Sequence, residues 1–181
     1  MQSFRISGAI VAIAITLTAV PAGAQEHAMH HPASHGASDP VDARTAVSFP
    51  APMRTHFLGK MRNHLTAISD AMTALSAGEF ERAAGIADTR LGMDSPGAAA
   101  CRDTDSSSPA SSPAPDMEQM MSQSMPAGMR AAGLAMHQAA SQFSAEARAA
   151  ARSRDAGKAF AALSKVTQQC VACHSAYRVD P

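Results

Sequence analysis

Apolar residues return every three or four positions from Met53 onward, and no stretch alternates residue by residue as a half-buried strand would. That period leaves room for little except amphipathic helices. The first block runs through Met53, Phe57, Met61, His64/Leu65, Ile68, Met72 and Leu75, and stops at Gly78, a residue suited to the turn past a helix end. "EFERAAGIADTRLG" reads as a shorter second helix with Phe80, Ala84, Ile86/Ala87 and Leu91 inward, ending at Gly92. Residues 93–116 break the pattern with four prolines and a serine-rich run, the composition of a long crossover loop. A third helix starts near Met125 or Pro126, a proline fitted to a first turn, and its stripe is Met129, Gly133, Met136, Ala140, Phe143 and Ala147. "MEQMMSQS", residues 117–124, adds a turn ahead of it. After the break "SRDAG", a last helix spans 156–178 with Phe160, Leu163, Val166/Thr167, Cys170, Cys173/His174 and Tyr177 at helical steps. Four such segments with mostly short links predict an all-α fold, an antiparallel four-helix bundle.

The chain opens with "MQSFR", then an apolar run from Ile6 to Val20, then "PAGAQ" with small residues at Ala22 and Ala24. A charged start, a short apolar stretch and an Ala-x-Ala site describe an export signal, with cleavage expected after Ala24 and the periplasm as destination. The run is shorter than the roughly 20 residues a spanning helix needs, so no membrane segment is expected after cleavage. Residues 25–52 mix His, Ser, Pro and Gly without period and read as a flexible His-rich arm, leaving 53–181 as the helical domain, with its Ser/Pro-rich loop at 93–116. Losing residues 1–24 removes one cation, Arg5, from a balance of 15 basic and 15 acidic residues. The mature chain is nearly neutral with scattered charges, which argues against nucleic acid or an anionic membrane as partner. With no Trp, one Tyr and much Ala and Met, its core is thin, and a large apolar cofactor would help to fill it.

That composition bears on "QQCVACHSAYR", residues 168–178, which holds two of the three cysteines. On a helix Cys170, Cys173 and His174 share roughly one face. A zinc site usually wants a second ligand pair, and the other cysteine, Cys101, lies in the loop with no histidine at ligand spacing. A thioredoxin-like dithiol wants a preceding strand, and a disulfide between Cys170 and Cys173 is awkward inside a continuous helix. Covalent haem attachment uses every member of CxxCH: two thiols for thioether bonds to the vinyl groups and a histidine for the iron. The expected cofactor is a single haem c, with Cys170 and Cys173 as anchors and His174 as proximal iron ligand.

At these residues the chain resembles the cytochrome c′ family, exported four-helix bundles with CxxCH near the carboxyl end. "CVACHSAYR" is similar to the family's haem-binding end, and "RTHFLGKMRNHLTAI" resembles its first helix; the likeness covers roughly 53–181, poorly in the second helix and long loop. The resemblance implies that Arg178 lies beside the proximal haem face and that Leu58 occupies the distal slot. An apolar residue there implies five-coordinate iron open to NO or CO, whereas a methionine implies six-coordinate iron suited to electron transfer. Met61, one turn on, or Met53 can reach the iron in a shifted register, with ordinary core packing as Met61's competing role. Met125, Met129, His56 and His64 are weaker candidates.

The leading expectation is therefore a periplasmic monohaem electron carrier, not an enzyme, exchanging electrons with unidentified redox proteins and possessing no catalytic acid or base. The alternative is a five-coordinate haem protein binding NO or CO. A third reading takes His27, Met29, His30, His31 and His35 of "EHAMHHPASHG" as a loose copper or nickel site, against a polar arm with incidental histidines. Cys101 reads as an unpaired loop thiol able to link two chains, and a homodimer is what the family resemblance allows.

Overall fold

The computed structural model describes residues 42–102 and 116–181, so the segment expected to be an export signal, most of the expected His-rich arm and the centre of the Ser/Pro loop lie outside the described residues. What it describes is mostly helical. In chain order come strand β1 (Thr45–Val47), helices α1 (Ala51–Ser76) and α2 (Phe80–Arg90), a 3-10 helix (Pro96–Cys101), α3 (Met117–Ser124), α4 (Ala127–Ser153), α5 (Gly157–Ala176) and strand β2 (Tyr177–Val179).

Local chemistry sets the helix ends. Pro52 sits in the first turn of α1, where a missing N–H costs nothing. At the other end Gly78 takes a φ of 72°, its N–H bonds to the Leu75 carbonyl at 3.0 Å, and Glu79 N–H bonds to Ala74 at 2.8 Å. Those two bonds make a Schellman motif, and glycine adopts its left-handed turn without a steric penalty. Asp116 caps α3 by accepting from Gln119 N–H at 2.8 Å. The α4–α5 break turns on Arg154, a non-glycine residue at φ 61°, whose guanidinium lies 5.9 Å from the Phe80 ring centroid.

Helix α1 packs on α2, α2 on α4, and α4 on α5. The buried residues form two clusters. One joins Ala67, Ala71 and Leu75 of α1, Ala83, Ala84 and Ala87 of α2, Ala140, Phe143 and Ala147 of α4, and Ala159, Leu163 and Val166 of α5. Its many alanines leave little side chain between the helices. The other is built of larger groups: Val47, Phe49, Met53, Phe57, Met121, Met125 and Met129.

Several expectations change here. The arm predicted over 25–52 gives way to structure by residue 42: β1 pairs in parallel with β2, Thr45 opposite Tyr177 and Val47 opposite Val179, while Val47 and Phe49 are buried. The last helix ends at Ala176 rather than 178, so Tyr177 and Arg178 belong to β2. Phe160, placed on the inner stripe of that helix, is 43% exposed, and Leu65 and Met72 also face outward. Alanines at 159, 162, 67 and 71 occupy the buried positions instead. The loop predicted from residue 93 begins with the 3-10 helix, whose Ala98 and Ala100 are buried. Among the described residues no helix is long and apolar enough to cross a membrane.

Candidate functional site

A cavity of about 450 Å³ opens where the two clusters meet. From the first come Ile68, Met136 and Cys170; from the second come Phe57, Met121, Met125 and Met129. Cys173, His174 and Cys101 also border it, as do Met61 and His64 of α1. Cys170, Cys173 and His174 thus face one apolar space, because steps of three and four residues keep them on one side of α5. All three cysteines are unpaired. Burial raises the thiol pKa values of Cys170 and Cys173, so both are held protonated and are poor nucleophiles unaided. Cys170 Sγ lies 3.5 Å from the Val166 carbonyl. His174 is exposed at the rim.

The segment carrying these groups is tied down from the other end of the domain. Beyond the β1–β2 ladder, Arg44 Nη1 donates to the His174 carbonyl at 3.3 Å and Arg54 Nη1 to the Asp180 carbonyl at 3.2 Å. Arg44 in turn holds Asp42, whose pKa its hydrogen bonds lower to about 2. Arg178 belongs to this clamp. Its Nη1 reaches Asp180 Oδ1 at 2.5 Å and its Nε stands 3.6 Å from Asp42, so it lies off the cavity wall.

Leu58 is also off the wall, 38% exposed, whereas Met61 borders the cavity half-buried. Met53 is buried in the methionine-rich cluster without reaching the cavity, and His56 bonds Glu118 at 3.1 Å at the molecule's edge. Met125 and Met129 line the space from the α3–α4 junction and α4. Two cations of α1 border the cavity, Arg62 and Lys60, the latter paired to Glu118.

Three wall residues escaped the sequence reading. Cys101 is no loop thiol: it is half-buried, packed against Gly133 of α4, and burial raises its pKa to about 11. The signal was the apolar run "PGAAAC" inside an otherwise polar stretch. His137 is 1% exposed, with Nδ1 2.6 Å from the Leu91 carbonyl, so that nitrogen donates. Burial lowers its pKa despite that bond. Its ring meets His64 edge to face at 5.6 Å, and burial, His137 and Lys60 lower the His64 pKa to about 4. Both imidazoles are therefore neutral near pH 7. Gly97 keeps the space beside them open: a Cβ there would stand 3.4 Å from His64 Nε2 and 3.3 Å from His137 Cε1. His137 was detectable as the next residue to Met136 on the α4 stripe, but nothing local distinguished it.

Among the described residues no three His, Cys, Asp or Glu side chains converge as a metal cage. Comparison with protein-family models, curated proteins and solved structures finds no match, so the functional reading rests on the cavity itself.

Proposed function

We propose that this protein is an exported, periplasmic monohaem c-type cytochrome that carries electrons and catalyses no reaction. The observation that carries the reading is the convergence of Cys170, Cys173 and His174 on one apolar cavity of about 450 Å³. The donor set fits haem. A metal held by protein alone needs three or four convergent ligands, whereas a porphyrin brings its own equatorial nitrogens and asks the chain for one or two axial donors. When bound, haem c supplies the one-electron Fe(III)/Fe(II) couple.

The chain's residues do the rest. Cys170 and Cys173 would hold the porphyrin through thioether bonds, each thiol's sulfur and hydrogen adding across a vinyl group, which would need no oxidant. The His174 imidazole, on the same face of α5, would hold the iron. Met121, Met125, Met129 and Phe57 exclude water, and low polarity around the iron tunes its potential. Arg62 is a cation on the wall that would meet a propionate, while Lys60 is held by Glu118. On this reading α1, α2, α4 and α5 act as an antiparallel four-helix bundle around the cofactor. The gas-binding alternative drew on Leu58, and the exposed position of that side chain lends it no support. The histidines of the proposed copper arm lie outside the described residues.

The test is intact-mass analysis of the mature chain made in a host that attaches c-type haem. One haem mass is expected in the wild type and none in the double variant Cys170→Ser/Cys173→Ser. A wild-type chain without added mass overturns the proposal.

A further inference from the structure

Of the donors on the cavity wall, most are already committed. Lys60 is paired with Glu118, and His137 is fully buried against the Leu91 carbonyl. Met121, Met125 and Met129 are buried in one apolar cluster, and Met136 in the other. Cys101 is wedged on Gly133 as a neutral thiol, and half-buried Met61 packs against the methionine-rich cluster. His64 differs from them all. It is half-buried on the wall, makes no hydrogen bond with any described residue, and has Nε2 beside the gap that Gly97 leaves. A neutral imidazole whose lone pair no described side chain engages is available for a coordinate bond, and the edge-on His137 ring braces it for one.

We infer that His64 is the second axial ligand of the iron, opposite His174, which makes the site a bis-imidazole haem. The inference rests on the haem reading above and changes its chemistry. Two imidazoles leave no open coordination position, and without a methionine sulfur to stabilise reduced iron the potential falls below that of a His/Met pair. The cavity's methionines then serve as packing.

Magnetic circular dichroism and electron paramagnetic resonance of the purified ferric holoprotein test the assignment. Wild type is expected to be low-spin with two nitrogen axial ligands and no sulfur-to-iron charge-transfer band, and the ferrous form is expected not to bind CO. His64→Ala should turn high-spin and bind CO, added imidazole should restore the low-spin spectrum, and Met61→Leu should leave the wild-type spectrum unchanged. A high-spin wild type, a sulfur band lost in Met61→Leu, or a His64→Ala protein that stays low-spin overturns His64 as ligand while leaving the haem reading standing. A wild-type protein without haem overturns both. Should His64→Ala fail to fold, the wild-type spectra still separate two nitrogen ligands from a sulfur ligand or an open site.

Discussion

At Gly133 two small effects of opposite sign meet. A Cβ there would fall 2.5 Å from Cys101 Sγ but 3.5 Å from Cys101 Cβ. Alanine favours a helix interior over glycine by about 1 kcal/mol, yet overpacking a filled contact costs about 1–3 kcal/mol. Gly133→Ala should therefore destabilise the wild type by about 1 kcal/mol and stabilise a Cys101→Ala background by a few tenths up to about 1 kcal/mol. Urea unfolding of the four proteins checks this cycle; the same sign in both backgrounds would refute it. Among single residues the sequence was only partly readable. It offered Cys101 as a loop thiol, because a contact between residues 101 and 133 crosses an interval that local pattern does not span. The Cys170, Cys173 and His174 set was readable because its members are neighbours along the chain.

The helices show a related limit. Their existence followed from period and punctuation: Gly78, Pro126 and the break at 153–157 each stand at or beside a helix end. Their inward faces were harder to read. Alanine is only weakly apolar, so a stripe of alanines is easily outvoted by one Phe or Leu on the opposite side. In α5 the buried face is Ala159, Ala162, Leu163 and Val166, and Phe160 lies outside it. Phe143→Ala, at 0% exposure in α4, should cost about 3–5 kcal/mol through the cavity it leaves. Phe160→Ala should change stability by no more than about 0.5 kcal/mol. Denaturant midpoints compare the two directly, and similar losses would contradict the assigned faces. The three-residue strands were invisible for another reason: too short to alternate, they exist only because residues 45–47 and 177–179 meet.

For the molecule as a whole, the alanine-rich and methionine-rich clusters meet around an open space of about 450 Å³. Side chains around such a space lack neighbours on one side and forfeit dispersion contacts. If haem fills that space as proposed, the chain without it should melt at least about 5 °C below the haem-bearing chain, a shift worth roughly 1–2 kcal/mol. Thermal melts of the same polypeptide made with and without haem attachment measure it; equal midpoints would mean that the cavity walls close without the cofactor.

The order of residues along the chain was enough to set the helical period, most helix ends and the shared face of Cys170, Cys173 and His174, since each depends on residues within a turn or two of one another. Long-range packing chose which side chains surround Cys170, Cys173 and His174. It brought in Cys101, His64 and His137, left Leu58 and Arg178 off the wall, and clamped the last segment with a strand more than a hundred residues earlier. Helix period sets which residues can share a face, but which face turns inward is chosen by the summed burial of all the helices packed together.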